Sequence, residues 1–298
     1  MKLSDLGENR VVAALTRALA LGADVRVGAG DDCAVIGRPR DAQWQLLKTD
    51  AVIEGVHFLA SDDPRRVGWK ALCRALSDIA AMGGTPQHAL ITLAALPDEK
   101  MDRVRGIYAG LRKAARRFGV SIVGGETARS PGPLFLNVAL TGTVERERCI
   151  LRSGGRAGDA LYVTGRLGGS RAGKHLDFTP RLAEARWLTE NFKLHAMMDL
   201  SDGLAADLPR LATASQCGFH LDESSLPKTK SCTIHQALTD GEDFELLFAL
   251  ASRAAAALEA AWPQHFPRLP LTRIGTLSTQ SKIKNRESKI PSGHDHFA

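Results

Sequence analysis

Acidic side chains stand at the ends of predicted strands and helices throughout the sequence. Asp31 and Asp32 are adjacent in "VGAGDDCAVIG", between a glycine turn and a short apolar run. Further acidic residues in comparable positions are Asp50, Asp78, Glu126, Asp199 and Asp202. A single acidic residue at a strand end or a helix N-terminus is usually structural. Several in one chain indicate that they converge on one cleft.

Carboxylates that converge in a partly dry cleft repel one another, unless some stay protonated or cations share the cleft. Mg²⁺ is the expected cation, because it prefers oxygen ligands and the sequence offers no cysteine or histidine cluster. Mg²⁺ held by one or two carboxylates usually completes its shell with water and phosphate oxygens. The acidic residues therefore predict a magnesium site and a phosphorylated substrate.

A second stretch, "GGSRAGKH" at 168–175, matches a phosphate-binding loop through Gly168, Gly173 and Lys174. His175 follows where such a loop needs a Ser or Thr hydroxyl to hold Mg²⁺. We therefore interpret the stretch as a glycine-rich helix start that packs against a strand.

The first half of the chain predicts a strand-rich domain with two amphipathic helices. Apolar residues recur at helical spacing over 64–82 and again over 101–118. Asp78 lies off the apolar stripe of the first helix. Predicted strands occupy 44–49, 88–96, 120–126 and 134–144. Asp50 is therefore expected to end the first of these strands.

A charged, glycine-rich stretch, "ERERCILRSGGRAGD", indicates a domain boundary near residue 150. Beyond it the pattern predicts strands at 160–165, 244–250 and near 272. Helices are predicted near 167–175, at 180–193, from Ser201 and from Arg253, with Ser201 as an N-cap. The class indicated is α/β with two domains. After Leu277 the chain is polar and is expected to be loose.

Composition narrows the class of protein. The 298 residues are 44% hydrophobic, with no uninterrupted apolar run of about 18 residues and no apolar core in "MKLSDLGENR". Five cysteines without a Cys-x-x-Cys pair indicate neither a disulfide framework nor zinc. The net charge of +6 hints at an anionic partner, but no aromatic residues interleave with the basic ones. We expect a cytoplasmic protein that binds neither membrane nor nucleic acid.

Seven segments, in this order, resemble the thiamine-monophosphate kinase family, within the superfamily of aminoimidazole ribonucleotide synthetase. They are "GDDCAVI", "KTDAVIEGVHF", "VGWKALCRALSDIAAMGGTPQHALITL", "VGGETARS", "LRSGGRAGDALYVTGRLGGSRAG", "MMDLSDGLAADL" and "DGEDFELLF". The resemblance implies ATP-dependent phosphorylation of thiamine monophosphate to thiamine diphosphate by direct transfer, with Mg²⁺ between acidic side chains and phosphates. No protein nucleophile is required for this reaction.

The resemblance also implies an architecture and partners. The fold would be the two-domain aminoimidazole ribonucleotide synthetase-like fold, α/β (α+β) in class, with domains 1–148 and 149–298. The N-terminal sheet would form a barrel in a homodimer and bind metal and ATP. The C-terminal domain would be an α/β sandwich that completes the nucleotide and substrate site.

Residue roles follow from the same resemblance. Metal ligands would be Asp32, Thr49, Asp50, Asp78, Glu126, Asp199 and Asp202. Catalytic residues among these would be Asp50, Asp78 and Asp202. Nucleotide-binding residues would be Tyr108, Gly124, Gly125, Arg152 and Ser201. The thiamine end would face His57, Glu242 and His294.

Five positions depart from the family's usual pattern: Lys48, Glu126, Asp240, Pro209 and His294. Lys48 replaces a small hydroxyl residue, so a fixed cation could take the place of one Mg²⁺ ligand. A proline inside the Ser-Asp-Gly helix removes a hydrogen bond and is expected to kink it.

Two alternatives stay open at this point. One is another ATP-using enzyme of the superfamily, such as a selenophosphate synthetase-like or aminoimidazole ribonucleotide synthetase-like protein. The other is a nucleotide- or thiamine-phosphate-binding protein that has lost turnover through the changes at Lys48, Asp240 and His294.

Overall fold

The computed structural model describes residues 2–279, which contain seven α-helices and eleven strands. The helices are α1 (Glu8–Thr16), α2 (Pro64–Ala81), α3 (Met101–Phe118), α4 (Leu182–Asn191), α5 (Leu204–Ala214), α6 (Ile234–Thr239) and α7 (Ala255–His265). The strands are β1 (Val25–Val27), β2 (Ala34–Ile36), β3 (Gln43–Ile53), β4 (Thr85–Ala95), β5 (Ser121–Arg129), β6 (Phe135–Glu145), β7 (Asp159–Thr164), β8 (Leu194–Asp199), β9 (Cys217–Leu221), β10 (Leu246–Ala251) and β11 (Leu271–Thr279).

The first six strands form one sheet in the order β1-β2-β3-β6-β4-β5. Neighbours are antiparallel except β4 and β5, which are parallel and connected through α3. Burial alternates strictly along β6, where Leu136, Val138 and Leu140 are buried and their neighbours are half-exposed. Because side chains alternate between the two faces of a strand, one face of this sheet carries the core and the other is open.

Helix α2 lies between the two halves of the molecule. Asp63 caps it by accepting a hydrogen bond from the Arg65 backbone N–H, and Pro64 occupies its first turn. Gly68 brings α2 close to α3, because a Cβ there would stand 1.8 Å from the carbonyl oxygen of Ile107. The helix also contacts β3, β6, α4 and β8, so almost all of its last four turns is buried.

The remaining strands form an antiparallel sheet in the order β8-β10-β7-β11-β9. Strand β7 is buried at every position, because both faces of this sheet carry a core. Leu161 and Leu247 belong to one core with α5 and α6, whereas Tyr162 and Phe248 belong to the other with α4 and α7. This half of the molecule is an α/β sandwich.

The structure confirms the two long helices of the first half and corrects several other elements. Strand β3 continues to Ile53, so Asp50 lies within a strand rather than at its end. No α-helix occupies 167–175; two short 3₁₀ turns stand there instead. Helix α5 begins at Leu204 with Gly203 at its N-cap, so Ser201 is not the cap. Pro209 lies inside this helix, which continues to Ala214.

The chain passes from one sheet to the other between Glu145 and Asp159, around the predicted domain boundary. No helix within residues 2–279 combines the length and apolar character that a membrane crossing requires.

Candidate active site

Three of the predicted acidic residues meet between the two sheets. Asp32 precedes β2, Asp78 lies in the last turn of α2, and Asp199 ends β8. One carboxylate oxygen of each lies within 4.8 Å of the others, and all three side chains are buried. We call these residues the acidic cluster.

The acidic cluster is electrostatically unfavourable without a cation. Burial, and then the charge of Asp32, raises the pKa of Asp199 to about 7, although Ser77 donates a 2.5 Å hydrogen bond to its Oδ2. Burial also raises the pKa of Asp78 well above its ordinary value. Oxygen atoms from three buried carboxylates fit a hard divalent cation such as Mg²⁺, which would displace the protons.

Asp50 and Lys48 extend the acidic cluster along β3. Lys48 Nζ lies 2.9 Å from Oδ1 of Asp78, so the lysine at this position does place a cation among the carboxylates. Burial opposes the charge of Asp50, but Arg74 and Lys48 outweigh it and lower the pKa of Asp50. Side chains of Asp50 and Asp78 also share a hydrogen bond. The neighbouring cations thus favour the charged form of Asp50, whereas burial disfavours that of Asp78.

Arg152 joins the acidic cluster from the second half of the chain. Its guanidinium pairs with Asp32, and its backbone N–H lies 3.1 Å from Oδ2 of Asp31. Burial and the neighbouring Asp32 raise the pKa of Asp31 to about 7. The structure therefore brings the predicted nucleotide residue Arg152 against the predicted metal ligand Asp32.

A cavity of about 700 Å³ is connected to the acidic cluster through Arg74, which lines it one helical turn before Asp78 and lies 3.5 Å from Asp50. Asp202 and Ser201 line it, and Asp202 pairs with the guanidinium of Arg210. The predicted substrate residues His57 and Glu242 line it as well. Its other walls include Phe58, Asp62, Arg66, Arg74, Gly173, His175, Asp240 and Phe244.

A buried lysine joins three walls of this cavity. Lys70 is fully buried in α2, and its Nζ donates to the His57 carbonyl oxygen at 2.5 Å and to Glu242 Oε2 at 2.8 Å. His175 Nδ1 lies 2.6 Å from the same ammonium. Burial opposes the charge of Glu242, but His175 and Lys70 hold its pKa at about 2. Glu242 therefore presents an ionised carboxylate to the cavity.

The loop that carries Glu242 has a strained backbone. Glu242 and Phe244 have φ angles of 53° and 50°, in the left-handed region that side chains other than glycine rarely adopt. Backbone hydrogen bonds to the carbonyl oxygens of Ser201 and Leu200 fix this loop. Phe244 also stacks on Phe178 with ring centroids 4.0 Å apart. Such strain is typical of ligand-binding loops.

Several predicted residues are not brought to the acidic cluster. The Thr49 hydroxyl lies on the open face of the first sheet and donates to Asn137 Oδ1 at 2.9 Å, opposite in direction to its neighbour Asp50. Gly124, Gly125 and Glu126 lie on the edge strand β5, which β6 and β4 separate from β3.

Tyr108 and His294 complete the predicted site residues. Tyr108 packs against the core of the first domain from α3. His294 lies outside the described residues.

Sequence reasoning missed three residues of this site: Lys70, Arg74 and His175. Lys70 and Arg74 precede Asp78 on α2 at intervals of four residues, which places all three on one helical face. That spacing was the available signal. His175 belongs to the glycine-rich stretch that resembled a phosphate loop, and it lines the cavity instead.

Two family comparisons match most of the chain. The N-terminal domain of the AIR synthase related proteins matches residues 30–144, and the C-terminal domain matches residues 156–284. Together with the two sheets and the acidic cluster, these matches define a two-domain protein of the AIR synthase related class.

Relatives narrow that class. Thiamine-monophosphate kinase of Rhodopirellula baltica is 37% identical to this chain, covering 91% of it and 92% of the relative. The thiamine-monophosphate kinase of Salmonella typhimurium is 34% identical to this chain, covering 92% of it and 93% of the relative. The solved structure of AaThiL complexed with AMPPCP and TMP superposes with a TM-score of 0.83, at 30% identity and 99% coverage of each chain. The chain belongs to the thiamine-monophosphate kinase family.

Proposed function

We propose that this protein transfers the γ-phosphoryl group of ATP to thiamine monophosphate, giving thiamine diphosphate and ADP. The observation that carries the proposal is that a buried acidic cluster adjoins a cavity whose walls include an ionised carboxylate. The related structure that was solved with AMPPCP and TMP supports the same pair of substrates.

Mg²⁺ fits the acidic cluster, because its three carboxylates are buried, close together and unfavourable when charged and alone. Asp32, Asp78 and Asp199 would hold it, with Asp50 and Asp202 at the boundary with the cavity. Bound Mg²⁺ would neutralise the charge of the phosphate oxygens during transfer.

The protein's own residues act by positioning. Arg152 offers a permanently charged, forked group beside Asp32 for the nucleotide phosphates. Glu242 and His57 line the cavity, where an anionic carboxylate complements the positive charge of a thiazolium ring. Because phosphoryl transfer is catalysed mainly by positioning and electrostatics, we assign no side chain as a nucleophile.

We infer that the protein is a homodimer formed through the open face of the first sheet. Strands β3, β4 and β5 each carry an exposed apolar side chain. The exposed fraction is 41% for Leu47, 49% for Leu90 and 59% for Val123. Exposed apolar side chains on several strands of one sheet are typical of an interface. Such a dimer would also place Gly125 and Glu126 of the edge strand near the interface rather than beside their own acidic cluster. Gly125 therefore remains a candidate for the nucleotide and Glu126 a candidate for a metal ion, whereas Tyr108 packs on the core side of the sheet.

We further propose that the protein works in the cytoplasm, where ATP is available and thiols stay reduced. The five cysteines are free in the structure, as expected in such a compartment.

A coupled assay of ADP release tests the proposed function. ADP release that depends on both Mg²⁺ and thiamine monophosphate supports it. Turnover only with a different acceptor indicates another enzyme of the superfamily. Binding of ATP and thiamine monophosphate without turnover indicates a binding protein, for which the ammonium of Lys48 among the carboxylates would be the physical reason.

A further inference from the structure

Arg74 stands where the acidic cluster meets the cavity. It lies on α2 one turn before Asp78, and its side chain lines the cavity. The charges that act on it most strongly come from both sides. Asp78 belongs to the acidic cluster and Asp50 lies next to it, whereas Glu242 and Asp202 belong to the cavity wall. The guanidinium is therefore fixed at the boundary between the two.

The protein satisfies only part of the hydrogen-bonding capacity of the Arg74 guanidinium. Nη1 donates to the carbonyl oxygen of Ala51 at 3.0 Å, and Nη2 lies 3.5 Å from Oδ1 of Asp50. Nε is buried and has no hydrogen-bond partner among the described residues. A buried donor without a partner costs free energy, so a ligand that accepts from it gains affinity.

The second arginine among the residues that line this cavity behaves differently. Arg66 donates from Nε to Asp177 at 2.9 Å and from Nη2 to the carbonyl oxygen of Gly173 at 3.0 Å. Nε and Nη2 of Arg66 are thus engaged, and its side chain is 39% exposed. The Arg74 side chain is only 12% exposed, and its Nε is the buried arginine donor without a partner among the described residues that line this cavity.

We propose that Arg74 binds the phosphate of the acceptor substrate. This inference rests on the proposed function, in which the acceptor phosphate must lie between the metal-held nucleotide phosphates and the thiamine-binding walls. Arg74 occupies that boundary. An arginine is permanently charged, and its planar fork matches a phosphate group.

Arg74 could instead serve only to neutralise Asp50. The two roles differ in what they do for a ligand without phosphate. A purely neutralising arginine would affect thiamine and thiamine monophosphate alike, whereas a phosphate-binding arginine distinguishes them. The affinity ratio of these two compounds therefore isolates the proposed contact.

The test is calorimetric titration of thiamine and thiamine monophosphate into the full chain, without ATP, for the wild type, Arg74→Met and Arg74→Lys. We expect the wild type to prefer thiamine monophosphate and Arg74→Met to lose about tenfold or more of that preference, with unchanged affinity for thiamine. Arg74→Lys should keep part of the preference, because it keeps the charge but not the fork.

Arg103→Met is the matched control. This arginine also lies on a helix of the first domain, with a similarly shielded side chain paired to Glu54 and Glu99, and it does not line the cavity. Its loss should leave the affinity ratio unchanged. An Arg74→Met protein that retains the wild-type ratio overturns the inference and leaves the proposed function standing. A wild type that binds thiamine monophosphate no more tightly than thiamine also overturns the inference, whereas the proposed function is decided separately by the coupled assay of ADP release.

Discussion

Substituting Asp199 by Asn should stabilise the metal-free protein, although the residue belongs to the acidic cluster. The carboxyl has a pKa of about 7 in the folded protein and an ordinary value of 3.8 in the unfolded chain. The folded state therefore binds the proton more tightly. As pH rises from about 4 to about 7, the wild type loses stability, because the unfolded chain gives up its proton first.

The size of the effect follows from that difference in pKa. At pH 8 the carboxylate costs the folded protein about 4 kcal/mol, and at pH 5 about 2 kcal/mol. Asn is nearly isosteric, carries no charge and can still accept the hydrogen bond from Ser77. Asp199→Asn should therefore raise the free energy of unfolding by most of about 4 kcal/mol at pH 8 and by less at pH 5. Saturating Mg²⁺ should stabilise this variant less than it stabilises the wild type.

The assay is urea unfolding of chelator-treated protein at pH 5 and pH 8, repeated with Mg²⁺. Asp159→Asn serves as the control, because Asp159 is also a buried aspartate of the second domain but is paired with His195 at 2.8 Å and accepts from the Arg156 N–H. That variant should lose about 1–3 kcal/mol. If Asp199→Asn is destabilised at pH 8 as much as Asp159→Asn, the repulsion assigned to the acidic cluster is refuted.

Three further predictions concern the acidic cluster and the open face. Lys48→Met removes the ammonium 2.9 Å from Asp78. The metal-free protein should therefore lose about 2–3 kcal/mol of its free energy of unfolding, and each chain should bind more Mg²⁺. Calorimetry that finds unchanged Mg²⁺ stoichiometry and affinity contradicts this prediction. Asp202→Ala should lower kcat at least about 100-fold with an unchanged circular dichroism spectrum, and full activity in the coupled assay would exclude Asp202 from catalysis. Leu90→Asp places a charge on the open face of the first sheet and should convert the proposed dimer to monomers in sedimentation velocity. A dimer that persists moves the interface elsewhere.

Long elements with a regular apolar period were predictable, and short ones were not. Helices α2 and α3 match their predicted ranges almost residue for residue, because 18 residues at helical spacing give an unambiguous pattern. Helix α1 and strand β9 are short and were missed. The glycine-rich stretch at 168–175 was predicted as a helix, but its glycines adopt positive φ angles that break a helix into 3₁₀ turns.

The position of Asp78 shows where reasoning from periodicity fails. It lies off the apolar stripe of α2, where periodicity by itself would place a side chain in solvent, yet its side chain is buried. Helix α2 packs against the first sheet on one side and against α4 and β8 on the other, so its polar face is also covered. The four-residue spacing places Lys70, Arg74 and Asp78 on one helical face, but only contacts with the second domain show that this face is covered.

The sequence by itself determined the family, the two-domain α/β class, the long helices of the first domain and the supply of acidic residues from which a metal site could be built. These follow from motif order, apolar period and residue chemistry, which are local properties of the chain. Tertiary structure alone decided which acidic residues meet. Asp32, Asp78 and Asp199 are far apart in sequence, and only the packing of α2 between two sheets brings their carboxylates within 4.8 Å. Because side chains alternate along a strand, the same packing turns Asp50 toward this site and the adjacent Thr49 away from it.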